Sequence, residues 1–95
     1  MHVQTGEIVR ALRGHDAEQF FCVLNVEDDF VYLADGKRRT VANPKKKRHK
    51  HVASEGIWTH PVTERIQAGA PVLDSELRRA LAAFRDKKFS ETKEV

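Results

Sequence analysis

The chain has 95 residues, of which 40% are hydrophobic and 33% are charged, and its formal net charge is +3. A chain of this length is expected to form one globular domain, because it is too short to build two hydrophobic cores. Its single cysteine, Cys22, excludes an internal disulfide, and no segment has the length of a membrane span or the apolar character of a signal peptide. These features predict a cytoplasmic protein.

Four segments in the first half of the chain have the apolar, aromatic and β-branched composition of short strands. They cover residues 7–12, 20–26, 30–34 and 38–42, and a fifth strand around residues 49–53 could complete a barrel. Short strands about ten residues apart, with no long helix between them, favour a small curled antiparallel sheet over a parallel one.

Turn-forming residues connect these segments. Residues 13–16 and 27–29 supply the first two turns, and Asp35-Gly36 predicts a tight hairpin into the fourth strand, since glycine readily takes a positive φ. Pro44 then ends that strand, because proline has no amide hydrogen for a ladder. The basic residues after Pro44 are predicted to leave the sheet as a loop.

The clearest helix is predicted over residues 75–87. Asp74 is a favourable N-cap, and Leu77, Leu81 and Phe84 recur at helical spacing on one face. We expect that face to pack on the sheet.

The segment between the sheet and this helix has a weaker pattern. In residues 51–72 glycines and prolines interrupt the apolar residues, and no helix is predicted there. Trp58 lies within this segment, where its large ring could either pin the loop or face a partner. We expect one domain over residues 1–88 and a flexible tail over residues 89–95.

Positive charge is concentrated in one segment. Residues 37–51 carry eight of the seventeen Lys and Arg residues, two of the five His residues and no acid, whereas the rest of the chain has nine Lys and Arg residues against fourteen acids. Such a cluster suits a polyanion, because phosphates supply regularly spaced acceptors and release counterions on binding. The candidate contacts are Lys37, Arg38, Arg39, Lys45, Lys46, Lys47, Arg48, His49, Lys50 and His51.

Other interpretations of these residue types carry less weight. A basic run can be a solvated loop, although the absence of interleaved acids favours binding. Arg10 and Arg13, beside the first loop, fit an extended basic face and simple surface solubility equally well. The hydrophobic core is expected to use most of the seven aromatic residues before any base can stack on them, including Phe20, Phe21, Phe30, Tyr32 and Phe84.

The sequence contains no catalytic or metal-binding pattern. His49, His51 and His60 lack the Cys or carboxylate partners of a metal site, and nearby lysines would repel a cation. Asp28 and Asp29 are adjacent, so on a strand they would point to opposite sides and form no acid and base pair. We therefore expect a nonenzymatic protein with no cofactor, no metal and no small-molecule substrate.

Parts of the sequence resemble a known family. Residues 5–16, TGEIVRALRGHD, followed by FFCVL at 20–24, resemble the KOW motif, in which two strands flank a glycine-containing loop. The continuation, with LADGKRR at 33–39 and NPKKKRHKH at 43–51, looks like the bacterial KOW-domain RNA-binding proteins related to the fourteen-e class of archaeal and eukaryotic large-subunit ribosomal proteins. Residues 75–81 are similar to the closing helix of those bacterial relatives, so the likeness covers about residues 3–84.

The resemblance implies an SH3-like β-barrel that binds ribosomal RNA without catalysing a reaction. It adds the first loop to the expected RNA contacts, with Arg13, Gly14 and His15. One position departs from the family pattern, because Glu18 stands where the usual motif has a second glycine, and it brings a side chain and a negative charge. The main RNA contacts are therefore expected from residues 37–50.

Two hypotheses for function follow. The first is a noncatalytic RNA-binding domain, monomeric when free and associated with the ribosome, that docks on structured ribosomal RNA by phosphate contacts and shape. The second is a protein-interaction module, similar to the KOW barrels of the transcription elongation factor NusG, that docks through the predicted helix or through residues 57–66. Neither hypothesis involves a membrane.

Overall fold

A computed structural model, which describes residues 3–93 and the side chains as far as Phe89, contains five strands in one antiparallel sheet. The strands are β1 (Glu7–Ala11), β2 (Phe20–Glu27), β3 (Phe30–Ala34), β4 (Lys45–Arg48) and β5 (Val52–Ile57), in the order β4-β3-β2-β1-β5. A 3-10 helix, His49–His51, joins β4 to β5, and two helices follow, α1 (Pro61–Gln67) and α2 (Asp74–Lys93). The predicted mainly β architecture with a C-terminal helix is confirmed.

The sheet must curl, because β4 and β5 lie at its opposite edges but almost adjoin in the chain. In a flat sheet, four strand spacings would separate these edges by about 19 Å. The chain from Arg48 to Val52 can reach only about 14 Å. The Leu12 N–H also donates to the carbonyl of His51 (2.9 Å), which ties the connector to the end of β1. Such a curled five-stranded sheet is consistent with a small SH3-like barrel.

Hydrophobic side chains cover both faces of the sheet, because successive residues of a strand point to opposite sides. Towards the helices, the core contains Ile8, Phe20, Cys22, Ala34, Val62, Ile66, Val72, Leu77, Ala80, Leu81 and Phe84. On the opposite side, the core contains Val9, Ala11, Phe21, Val23, Val31, Leu33 and Val52. This two-sided burial explains the nearly continuous apolar run of β2, and the predicted packing of α2 through Leu77, Leu81 and Phe84 is confirmed.

The fourth strand does not lie where the sequence predicts it. Residues 38–42 belong to the β3–β4 connection, and the strand is Lys45–Arg48, which was expected to be a loop. Pro44 therefore precedes a strand and does not end one. Val41 has high β-propensity, but it packs against the helix-side core and its N–H donates to Oδ1 of Asp74 (2.7 Å). Tertiary packing here outweighs local propensity.

The two turns that flank β3 have different outcomes. Glu27 pairs with Phe30, so Asp28 and Asp29 form the predicted turn. Asp35 and Gly36 also form a turn, and Gly36 has a φ of 80°. The predicted tight hairpin is nevertheless wrong, because this turn opens a ten-residue connection to β4.

The C-terminal half contains more regular structure than predicted. The fifth strand lies over Val52–Ile57, later than the predicted 49–53, and the helix Pro61–Gln67 was not predicted. Helix α2 extends beyond the predicted 75–87, and Asp74 is its first residue. Residues 94 and 95 of the predicted tail lie outside the described residues. Within residues 3–93, no helix is both long enough and apolar enough to cross a membrane.

Candidate nucleic-acid interface

The first loop has an unusual backbone conformation at Glu18. Glu18 has a φ of 71°, in the left-handed region that side chains other than glycine rarely adopt. Two backbone hydrogen bonds hold it there: the Glu18 N–H donates to the carbonyl of Ala11 (2.7 Å), and the Ala11 N–H donates to the carbonyl of Gln19 (3.0 Å). The loop therefore holds Glu18 in a conformation that glycine would adopt more easily.

The Glu18 side chain also forms an ion pair with Arg10. Both carboxylate oxygens of Glu18 accept hydrogen bonds from Nη1 of Arg10, at 2.8 and 3.0 Å. A second acid, Glu55, lies 3.4 Å from Nε of Arg10. Hydrogen bonding to Glu18, above all, raises the pKa of Arg10. Arg10 is thus compensated and does not extend the basic surface.

A hollow of about 300 Å³ lies between the first loop and β4. We call it the basic hollow, and its lining residues are Arg13, Gly14, His15, Asp16, Arg39, Lys45, Lys47 and His51. The structure thus brings the three candidate residues of the first loop together with four candidates from the basic segment.

Strand alternation brings two lysines to this hollow. Along β4, Lys45 and Lys47 are half-buried, whereas Lys46 and Arg48 are exposed. Nζ of Lys47 donates to the carbonyl of Arg13 (2.6 Å), so it links the strand to the first loop. Burial, and then the nearby charges of Lys45 and Arg39, lower the pKa of Lys47.

One buried acid, Asp16, fixes Arg39, which is one of the two arginines of the basic hollow. Asp16 is 6% exposed, and its Oδ2 accepts from Nη2 (3.0 Å) and Nε (3.3 Å) of Arg39. Nη1 of Arg38 lies farther from the other oxygen, at 3.8 Å. Within the described residues, the other six Lys and Arg residues of the basic segment form no ion pair with a carboxylate. Most of the positive charge is therefore uncompensated.

A second hollow, of about 340 Å³, lies between the β3–β4 connection and α2. We call it the helix-side hollow, and it is lined by Gln19, Asp35, Lys37, Arg38, Arg78, Ala82 and Arg85. Nη1 of Arg78 donates to the carbonyl of Gly36 (2.6 Å), which ties α2 to the connection. Oδ1 of Asp35 accepts from the backbone N–H groups of Lys37 and Arg39, both at 2.9 Å.

The sequence interpretation did not include the two arginines of α2. Arg78 and Arg85 are seven residues apart, so they lie on one face of the helix. That spacing was a usable signal, but only the fold shows that this face meets Lys37 and Arg38. The two hollows adjoin where Arg38 approaches Asp16.

The remaining candidates lie on other surfaces. Lys46 and Arg48 lie beside Phe30 and Tyr32 on the outer side of β3 and β4, as described below. His49 and Lys50 line a small hollow of about 200 Å³ with Asp29 and Arg48. The basic segment is therefore spread over adjoining surfaces and is not a single loop.

Trp58 anchors its loop by packing against the rest of the protein. Its ring stacks on His60, with centroids 4.6 Å apart, and meets the ring of Phe84 edge to face at 5.6 Å. It packs against the helix-side core. Of the two roles left open by the sequence, the structure thus supports the first.

The single cysteine, Cys22, is buried in the core. Burial raises the pKa of the Cys22 thiol to about 12, so the thiolate needed for nucleophilic attack is scarce. Among the side chains described, as far as Phe89, no three His, Cys, Asp or Glu residues form a group that could hold a metal ion. A scan against protein-family models and a search of curated protein sequences find no match to this chain.

Proposed function

We propose that the protein is a noncatalytic, cytoplasmic RNA-binding domain that docks on structured RNA through its two adjoining hollows. The observation that carries the proposal is the convergence of cations from three parts of the chain. Arg13 comes from the first loop, Lys45 and Lys47 from β4, and Arg78 and Arg85 from α2. A concave surface of this kind can follow the ridge of a folded RNA backbone.

Several of these cations are held in place before any ligand binds. Lys47 is hydrogen-bonded to Arg13, Arg39 to Asp16, and Arg78 to Gly36. Because ordering a long side chain costs conformational entropy, such preorganised donors lose less on binding than free ones. Asp16 orders the Arg39 side chain but also compensates part of the positive charge of the hollow.

The assignment to ribosomal RNA rests on the sequence resemblance to KOW-domain ribosomal proteins. A curled five-stranded sheet and a left-handed backbone at Glu18 agree with that resemblance. Both hollows would then contact phosphates, with shape and not base sequence as the main basis of recognition.

The dependence of binding on salt tests this proposal. If five or six phosphates are contacted, the slope of log K against log salt is expected to be about −4 to −5 for the wild-type protein. The double variant Lys45→Ala/Lys47→Ala should reduce the magnitude of that slope by about 2. The probe is a folded fragment of ribosomal RNA, and melting curves check that the variant folds.

A matched control removes two charges elsewhere. Arg79 and Lys87 are exposed on α2 and line neither hollow. The variant Arg79→Ala/Lys87→Ala has the same net charge as the test variant but should keep the wild-type slope to within about half a unit. If the two variants have equal slopes, the basic hollow does not contact the RNA. If binding of the wild-type protein does not depend on salt, the proposed function itself is contradicted.

A protein-interaction module is the second candidate. In its favour, a hollow of about 210 Å³ has both apolar and charged lining residues, namely Glu55, Ile57, Trp58, Phe84, Lys87 and Lys88. Ile57 is 56% exposed. Purification of the tagged protein from lysate before and after ribonuclease treatment separates the two candidates. RNA binding predicts that partners are lost on digestion, whereas a protein complex would survive it.

A further inference from the structure

Two aromatic side chains of β3 lie outside both core clusters. Phe30 and Tyr32 are two residues apart on β3, so they share the outer side of the sheet. Both are half-buried, and neither belongs to a core cluster, whereas Phe20, Phe21 and Phe84 do. The expectation that core packing takes precedence over base stacking for the aromatic residues is therefore wrong for Phe30 and Tyr32.

Exposed cations of β4 lie against these rings. Tyr32 pairs with Lys46 across the ladder, and Phe30 pairs with Arg48. Nζ of Lys46 is 4.4 Å from the centre of the Phe30 ring and 5.9 Å from that of Tyr32. Cζ of Arg48 is 5.2 Å from the centre of the Phe30 ring. We call these four residues the aromatic face.

Two acids border this face, Glu27 beside Tyr32 and Asp29, which lines a small hollow with Arg48. Oε1 of Glu27, on β2, accepts from the hydroxyl of Tyr32 (3.2 Å). Within the described residues, Glu27 forms no ion pair with Lys46 or Arg48. The face thus combines two rings with two positive charges, neither of which forms an ion pair with a carboxylate among the described residues.

We propose that the aromatic face binds an unpaired segment of RNA, with bases stacked on Phe30 and Tyr32 and the flanking phosphates on Lys46 and Arg48. Aromatic rings next to cations are the combination that binds single strands, since every base presents a stacking face and every nucleotide a phosphate. This inference rests on the proposed RNA-binding function and names a second class of RNA structure that the protein recognises.

The spacing of the rings fits this class of ligand. Side chains two residues apart on a strand are separated by about 7 Å. This is about twice the 3.4 Å between stacked bases in a helical strand. Two neighbouring bases on these rings would therefore be unstacked from each other, as in RNA loops and single strands.

The test uses two RNA probes and a pair of matched variants. One probe is an unstructured oligouridylate of about ten nucleotides, and the other is a fully paired RNA duplex. Phe30→Leu/Tyr32→Leu removes both rings but keeps apolar cover, whereas Phe30→Tyr/Tyr32→Phe keeps two rings. The first variant should lose affinity for the oligouridylate by about tenfold or more and for the duplex by less than about twofold. The second should bind both probes as the wild type does.

A spectroscopic measurement reports the stacking directly. An oligouridylate with one 2-aminopurine base should lose fluorescence when the wild-type protein binds it, because stacking on a ring quenches this base. The double leucine variant, at saturating concentration, should leave the fluorescence largely unchanged. If that variant does not fold, Tyr32→Leu alone carries the test, since the Tyr32 hydroxyl is hydrogen-bonded to the exposed Glu27 and not to a core residue.

Each outcome decides the question. Unchanged affinity of the double leucine variant for the oligouridylate would overturn the stacking proposal and leave the docking of structured RNA intact. An equal loss for both probes, with the fold preserved, would also overturn it, since the rings would then only support the cations. If the wild-type protein binds neither probe nor folded ribosomal RNA, the proposed function fails as well.

Discussion

The turn at Gly36 allows a quantitative test of how the β3–β4 connection packs on α2. Gly36 and Gly69 have nearly the same positive φ, 80° and 78°. A Cβ added to Gly36 would lie 2.3 Å from the backbone oxygen of Asp74 and 3.1 Å from the backbone nitrogen of Arg78. A Cβ added to Gly69 would meet no atom within 4 Å. The substitution Gly36→Ala should therefore destabilise the protein much more than Gly69→Ala.

The magnitudes follow from two contributions. Backbone strain at a left-handed position is about 1–2 kcal/mol, and a less flexible unfolded chain offsets about 0.4–1 kcal/mol of it. The net loss for Gly69→Ala is then about 1 kcal/mol. At Gly36 the added methyl group must also displace the first turn of α2, and overpacking adds about 1–3 kcal/mol. The total of about 2–4 kcal/mol is a large share of the stability of a small domain.

Urea denaturation measures both losses. Trp58 is the only tryptophan and packs on Phe84, so its fluorescence should report unfolding of the helix-side core. Equal losses of unfolding free energy for the two variants would refute the reasoning, because only the contact with α2 distinguishes them. A loss at Gly69 greater than at Gly36 would show that the loop and the helix do not pack as described.

Two further predictions concern titratable groups. Desolvation, and then the charge of Arg13, lower the pKa of His51, so a bound phosphate should raise that pKa and draw in a proton. Affinity for RNA should therefore increase as the pH falls from about 8 to about 6, and this increase should be smaller in the variant His51→Gln, as fluorescence anisotropy would reveal. The buried thiol of Cys22, with a pKa of about 12, should resist an aromatic disulfide reagent in the native protein and react when urea unfolds it. Rapid reaction without urea would mean that β2 opens locally.

The sequence predicts β2 and β3 well because their buried positions carry apolar residues. The first half of the strand Phe20–Glu27 is buried on both faces of the sheet, and its residues there are all apolar. The turn that leads from it into Phe30–Ala34 consists of polar residues. The first strand is nearly as clear. In these cases local propensity and tertiary packing favour the same structure.

The fourth strand was missed because four consecutive cations carry no apolar signal. Lys45–Arg48 is a strand since its backbone pairs with β3, while the stems of Lys45 and Lys47 supply the half-buried side. Helix α1 did carry a signal, with Pro61 at its first position and His60 accepting from the Val62 N–H at 3.1 Å. Proline was interpreted there only as an interruption.

For the candidate site, the sequence predicts the charge but not its arrangement. The cations of residues 37–51 could be counted directly, yet their division among adjoining surfaces depends on alternation along β4. The pairing of Arg39 with Asp16 links residues 23 positions apart, which no local pattern records. The contribution of Arg78 likewise depends on where α2 docks.

The position of β4 at the edge of the sheet bears on whether the protein self-associates. This strand is an edge of the sheet, so one row of its amide and carbonyl groups has no neighbouring strand among residues 3–93. Exposed edges invite pairing with another copy, and lysines prevent it by mutual repulsion. Acetylation of Lys45, Lys46 and Lys47 is therefore expected to promote self-association through this edge, since their ammonium groups keep two copies apart.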